Sequence, residues 1–389
     1  MKIAIISDMH CCHSSSKNAC DSFLLSDQLR TPPEKHPVQS LLDSINKDHI
    51  SADILLSLGD MTNRTDKQGL ISAWGFINEI ANALNVRSII PTLGNHDVNW
   101  SRAQHIPEED SHSHNYIVKN LSSKFPYDIR EQSNDFFANG VVHIEFDKWN
   151  FIVLDSTYSM ENKEDGECGK LTDSQISLAR DKVSRIDKEE PKIFVLHHHP
   201  IIHDDPSAGR SDIIIGNEKF MELVEFARPS LVIHGHKHQA RISYSKDTIP
   251  IIASGSFSAI PKGCLAGYVS NMFHLIDIQL IDGSICGIIN SWIYAQIKGW
   301  FQSLTTEISF PCRSGFGCTE NLASLRDKII NQFPDDEFLK WSQVISAFDQ
   351  LKYLSPQQLK KLESLFNQKG WSIEPPSPNY PKIICKKTL

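Results

Sequence analysis

No apolar run in the 389-residue sequence approaches the roughly 20 residues that a membrane-spanning helix needs, so no bilayer span is expected. The opening stretch Met1–Asp8 is also too short in apolar residues for a signal peptide, and a carboxylate follows at once. Cysteine is sparse and unpatterned. The nine cysteines are an odd number, Cys11 and Cys12 are adjacent, and no CxxC pair occurs. Neither a disulfide framework nor a thiolate metal site is expected, and a reducing cytoplasm is the simplest setting. An excess of basic charge is missing too, with 39 Lys and Arg against 47 Asp and Glu and a net charge of −8. That argues against non-specific duplex binding, which needs a broad cationic surface. No basic stripe with interleaved aromatics appears, so nucleic acid is not the favoured partner. Internal repeats are absent as well.

The composition that remains is that of an ordinary folded protein, 40% hydrophobic and 22% charged. Its length suits one large domain and something smaller. Short strands rich in Ile, Val and Leu are predicted at Lys2–Ser7, Ile54–Leu58, Arg87–Pro91, Val141–Phe146, Phe151–Asp155, Lys192–Leu196 and Leu231–Ile233. Helical stretches intervene, among them Gly69–Leu84 and one opening at Thr172, where Gln175 completes a capping box. This alternation predicts an α/β core. Beyond Leu231 the chain becomes β-rich, and Asp282-Gly283 marks a hairpin between Phe273–Ile281 and Ser284–Tyr294. The predicted architecture is a sandwich of mixed β-sheets flanked by helices.

A domain over 1–300 is expected, interrupted by polar inserts at 11–39 and 99–139 that should hang over any site at the strand ends. A helical appendage is expected over 319–374, since Phe338, Trp341, Ile345, Phe348 and Leu351 recur at helical spacing and Ser355-Pro356 opens a further helix. The Pro-rich tail 375–389 is expected to be loosely held.

Five polar clusters sit where strands end: Asp8-Met9-His10, Gly59-Asp60, Gly94-Asn95-His96-Asp97, His197-His198-His199-Pro200 and Gly235-His236-Lys237-His238. In open α/β sheets the crevice beyond the strand carboxyl ends binds ligands, so such clusters can converge. Carboxylate, imidazole and amide donors without thiolate suit Mn²⁺, Fe²⁺/Fe³⁺ or Zn²⁺. One carboxylate can bridge two ions. Residues two apart on an extended segment, such as Asp8 and His10 or His236 and His238, point to one side. Two ions about 3.5–4 Å apart can activate a water and clamp a phosphoryl group for in-line attack.

The order D-x-H, G-D, G-N-H-D, H-x-P, G-H-x-H resembles the calcineurin-like metallophosphoesterase superfamily, over roughly residues 1–295. The resemblance implies a four-layer αββα fold and dinuclear phosphoester hydrolysis. It assigns Asp8, His10 and His238 to one metal, Asp60 as the bridge, and Asn95, His198 and His236 to the second metal. The H-x-P register selects His198 among the three consecutive histidines. His96 would assist the leaving group, Asp97 would orient it, and Arg64, in the Asn63-Arg64 pair after Gly59-Asp60, would contact the phosphate. His13, His105, His112 and His114 are read as solvated, His197, His199 and His234 as supporting or packing residues, and Cys11 and Cys12 as small side chains near the site. The substrate expected is a phosphodiester, a cyclic nucleotide or another nucleotide-like diester. The rivals are a nuclease of the same superfamily, a phosphomonoesterase, and a non-catalytic scaffold, which the complete motif set disfavours.

Overall fold

The computed structural model describes residues 1–389 except 17–19, 99–116, 118–120, 122–124, 161–162, 203–212, 247, 262–268, 303–309, 334–337, 378 and 388–389. Two mixed sheets form the core. The first contains β1 (Lys2–Ile6), β2 (Ile54–Ser57) and β3 (Ser88–Pro91) in parallel, with β10 (Asn271–Ile281) antiparallel to β1. The hairpin partner β11 (Ser284–Ala295), then β12 (Gly299–Phe301) and β13 (Arg313–Phe316), complete it. The second sheet runs β4 (Val141–Phe146), β5 (Trp149–Leu154), β6 (Lys192–Val195), β7 (Ser230–His234), β9 (Ile249–Ala253), β8 (Arg241–Ser245). Its inner strands are near-continuous apolar runs because both faces are covered, as parallel strands require.

Period-2 alternation sorts those side chains between two cores. Phe151, Val153, Ile193, Val195 and Ile233 join residues of the first sheet, such as Ile3, Ile5 and Leu55, in one cluster. Their neighbours Ile152, Leu154, Phe194 and Val232 pack instead with Ile176, Ala179, Phe220 and Leu223. Those last four belong to helices Asp173–Ser184 and Asn217–Phe226. Helices Pro37–Asp48 and Lys67–Ala83 add Leu41, Ile45, Leu70 and Ile77 to the first cluster. The sandwich with flanking helices is thus the observed architecture. The Thr172 capping box is present, with Gln175 reciprocating. Among the described residues no helix is long and apolar enough to cross a membrane.

The C-terminal region is helical, as expected, over Leu322–Gln332, Trp341–Ala347 and Pro356–Asn367. It also holds a three-stranded antiparallel sheet, β14 (Phe338–Lys340), β16 (Ile383–Lys386), β15 (Trp371–Glu374), which the helical pattern did not reveal. Phe338 therefore lies on a strand, exposed, while Leu339 beside it turns inward. The tail is not loose. Its strand β16 is the middle of the sheet, because Ile384 is fully buried in the C-terminal cluster. That cluster continues onto the β10–β11 hairpin through Cys286, Ile281 and Ile288. Gln357 Nε2 donates to the Ile242 carbonyl at 3.1 Å, and Gly317 N donates to Tyr244 Oη at 3.2 Å.

The first insert departs from expectation in one more respect. Cys12 and Cys20 are joined in a disulfide with Cα atoms 6.2 Å apart, where no disulfide was expected from the scattered cysteines. The second insert is described only in part, with Arg130–Asn139 forming a helix; His105, His112 and His114 lie outside the described residues.

Candidate metal centre

The strands β1, β2, β3, β6 and β7 end at one edge, and their following residues leave extended geometry at once. Asp8 (φ 54°), His10 (φ 48°), Asp60 (φ 51°), His236 (φ 80°) and His238 (φ 57°) all adopt left-handed backbone. For residues with a Cβ this is unfavourable by on the order of 1–3 kcal/mol each and persists only where the surroundings overdetermine it. Here backbone bonds lock the loops: Asp8 N donates to Gly59 O at 3.0 Å and His10 N to Asp60 O at 2.9 Å. Two glycines make the close approach feasible. A Cβ on Gly59 would come 2.5 Å from Gly94 N, and one on Gly235 would overlap Ser7 Oγ.

Asp60 sits between two groups of side chains. Its Oδ2 is 3.6 Å from His10 Nε2 and 3.4 Å from His197 Nε2, while its Oδ1 accepts from His96 N at 2.7 Å. On one side, His10 Nε2 and His238 Nε2 face each other at 3.0 Å, and His238 Nε2 is 3.3 Å from Asp8 Oδ1. Asp8 Oδ2 accepts from Ser7 Oγ and from His236 N at 3.2 Å. Its fully buried Oδ1 receives no well-formed hydrogen bond. A buried carboxylate oxygen and two converging imidazole nitrogens are a donor set that a cation satisfies. On the other side, His197 Nε2 lies 3.2 Å from Asn95 Oδ1. The Leu58 carbonyl, 2.7 Å away, accepts from His197 Nδ1. That bond fixes the ring orientation and directs Nε2 at Asp60 and Asn95. His236 follows the same rule, with Nε2 donating to the Glu167 carbonyl at 3.0 Å. Ligand atoms of His197, His198 and His236 lie within 4.8 Å of one another, as do those of Asp8, His10 and His238.

Electrostatics follows this packing. Burial alone would raise the Asp60 carboxyl, but His197, His96 and His10 hold it well below the usual carboxylate range. Burial, reinforced by His96, pushes His10 down to about 3, which keeps it neutral and able to ligate. Burial opposes protonation of His197 as well, yet Asp60 and Asp8 push it up to about 9. Burial and the nearby Asp60 raise Asp97 to about 7.

Three readings from the sequence change. His198 has its Nδ1 2.7 Å from Ser156 Oγ and its Nε2 3.4 Å from the Gly166 carbonyl, and no hydrogen bond or ion pair to Asp60 is formed. His197, taken at first as a supporting residue, is the histidine at Asp60 and Asn95. It is the first polar residue after β6 and Leu196, and that strand-end position is the signal that could have selected it. Asp97 does not hold His96. Its two oxygens accept from Thr62 N and Gly94 N, each at 3.0 Å, and tie the second and third loops together. The partner of His96 is Arg64 N, which donates to His96 Nδ1 at 3.3 Å and so places the ring proton on Nε2. His96 stands edge-on to His10 with ring centroids 4.6 Å apart. The Arg64 side chain, about half exposed, lines the same open cleft of about 330 Å³ as His10, Asp60, Asn95, His96, His236 and His238.

Comparison with solved structures gives distant likenesses. A dimetal phosphatase from Danio rerio is 11% identical over 76% of this chain and 96% of its own, with a TM-score of 0.48. A phosphopantetheinyl hydrolase from Mycobacterium tuberculosis is 12% identical over 66% of this chain and 89% of its own, with a TM-score of 0.33. No curated protein matches the sequence. Residues 314–365 match a family described as a calcineurin-associated wHTH. Residues 1–240, more than half of the chain, match the family described as calcineurin-like phosphoesterase, and the chain belongs to that family.

Proposed function

We propose that this protein hydrolyses phosphodiesters at a two-cation site. Asp8, His10 and His238 would hold one ion and Asn95, His197 and His236 the other, with Asp60 placed between the two sets. The observation that carries this reading is Asp60 Oδ2, poised 3.6 Å from His10 Nε2 and 3.4 Å from His197 Nε2. The oxygen and nitrogen donors fit Mn²⁺, iron or Zn²⁺, and the family itself is metal-dependent. Two such cations supply Lewis acidity toward the phosphoryl oxygens and lower the pKa of water.

The protein's own groups supply the rest. Asp8 and Asp60 provide buried negative charge, and the carbonyls of Leu58 and Glu167 orient the rings of His197 and His236. His96 presents its Nε2–H toward the cleft and donates to the departing oxygen, a contribution of about 10²–10⁴ in rate. Arg64 contacts a non-bridging phosphate oxygen. It is the one Lys or Arg among the described residues lining the cleft, which suits the single charge of a diester better than the double charge of a monoester.

A hydrolysis panel on metal-loaded protein tests the reading, with cyclic nucleotides, bis-p-nitrophenyl phosphate, monoesters, and single- and double-stranded nucleic acid. Diesters should be cleaved fastest, and activity should vanish on exhaustive chelation. Full activity in protein shown by elemental analysis to be metal-free would sink it.

A further inference from the structure

The segment that follows β9 takes no part in the reaction above. Ser254-Gly255-Ser256-Phe257-Ser258 runs beside the loop that carries Asp8 and His10 and bonds to three successive carbonyls of it. Phe257 N donates to the Ser7 carbonyl at 2.7 Å. Ser256 Oγ donates to the Asp8 carbonyl at 2.7 Å, and Ser258 Oγ to the Met9 carbonyl at 2.6 Å. The Met9 carbonyl also accepts from Ser22 Oγ at 2.8 Å, which comes from the first insert beside the cleft residue Asp21. Ser256 is 1% exposed and Ser258 0%. Ser256 is itself held in place. Its Oγ accepts from Ala259 N at 2.8 Å and its carbonyl from Met272 N at 2.7 Å.

Asp8 and His10 have left-handed backbone, with φ of 54° and 48°. Residues with a Cβ keep that conformation only where the surroundings impose it. A peptide group is rigid and planar. The Asp8 carbonyl belongs to the plane that follows Asp8, and the Met9 carbonyl to the plane that precedes His10. A hydroxyl bonded to each therefore fixes ψ of Asp8 and φ of His10, and with them the directions of the two side chains.

We infer that Ser256 and Ser258 are positioning residues for one cation, the one at Asp8, His10 and His238, and not for the other. The inference rests on the two-cation reading above. At the other set, the rings of His197 and His236 are oriented by the carbonyls of Leu58 and Glu167 instead. Removing the Ser256 hydroxyl leaves the buried Asp8 carbonyl and Ala259 N–H without that partner, and the loop relaxes to regain one. The cost falls on the first ion, at about the 10–100-fold in affinity typical of groups that orient ligands.

Mn²⁺ titration of metal-stripped protein tests this, with His238→Ala and His197→Ala marking which binding step belongs to which ion. In Ser256→Ala the first ion should bind about 10–100-fold more weakly, and the second as in wild type. The double variant Ser22→Ala/Ser258→Ala strips both hydroxyls from the Met9 carbonyl. It should show the same selective loss, and it carries the test if Ser256→Ala does not fold. Ser254→Ala is the control. Ser254 is also 1% exposed, but its Oγ donates to the Gly255 carbonyl at 2.9 Å and not to the ligand loop. Its loss should lower stability in urea and move neither ion. Wild-type affinity for the first ion in the folded test variant overturns the positioning role and leaves the two-cation reading standing. So does a loss shared equally by both ions, or one matched in Ser254→Ala. Wild-type protein that binds fewer than two ions takes down both.

Discussion

The metal-site edge and the C-terminal unit of this chain are held in place by opposite means. At the edge, Asp8, His10, Asp60, Arg64, His236 and His238 all have left-handed backbone. Charged and imidazole groups are buried there without enough protein partners, as Asp8 Oδ1 illustrates. Over 313–387, no described residue with a side chain has a positive φ. Ile329, Val344, Leu362, Phe366 and Ile384 are fully buried together, and the helix at Pro356 starts on a complete capping box. Strain and buried charge are tolerated where they prepare a ligand site, while the appended unit rests on apolar burial and caps. Loosening the edge should therefore affect chemistry first, and loosening the appended unit should affect stability first.

The sharpest way to break that contrast is Asp60→Asn. It should lower activity by at least about 10³-fold, since the charge shared by two cations is gone. Metal content of the folded variant should drop below two ions per chain. The metal-free variant should also be less stable than wild type, because His197, His96 and His10 hold the Asp60 carboxylate ionised and lose that partner. Two ions held at wild-type affinity would show that Asp60 does not bridge.

His96→Ala should keep both ions. It should lose about 10²–10⁴ of the rate on diesters with poor leaving groups and much less on p-nitrophenyl esters, which need little protonation. Equal losses on both would argue against a role on the leaving group. His197→Ala should cost one of the two ions. His198→Ala should weaken metal affinity by no more than about 10–100-fold, as expected for a residue that only supports the ligands. Isotope-free metal titration of the two variants side by side decides between the registers, and a greater loss in His198→Ala would restore the sequence assignment.

In the C-terminal unit, Phe366→Ala should destabilise by about 3–5 kcal/mol while the folded protein retains its metal stoichiometry. Urea unfolding with elemental analysis measures both, and loss of metal from folded variant would make the unit part of the site. The smallest effect concerns His274 on β10, which burial pushes down to about 4. A histidine whose pKa is depressed on folding contributes stability that is present above about pH 6.5 and lost as pH falls toward 4. His274→Gln should flatten the stability profile across that window, by up to about 3 kcal/mol at its acid end. An unchanged slope in denaturation measured from pH 7 to 4 would refute it.

How far the sequence could be read differs by residue and for physical reasons. The D-x-H and G-H-x-H pairs were legible because strand ends deliver them to one edge and spacing by two keeps each pair together. His197 and His198 could not be separated by spacing, since in a run of three histidines the register depends on where β6 stops beside β7 and on which ring reaches the Leu58 carbonyl. Asp97 adjoins His96 in sequence but its carboxylate spans the backbone of Thr62 and Gly94. Asp21 was invisible, because its arrival in the cleft depends on contacts with Cys12, Met9, Ser258 and Ile260.

Sequence by itself determined the sandwich class, the set of strand-end motifs and the helix starts at Thr172 and Ser355. These follow from hydrophobic period, chain-local capping and residue type, and none requires knowing which distant segment is a neighbour. Tertiary structure alone decided the ring at Asp60, the partner of His96 and the place of the tail as a middle strand. Each of these depends on a hydrogen bond or an apolar contact between residues far apart in the chain, such as Ile384 with Leu339 and Ile373, and local propensity carries no information about such pairs.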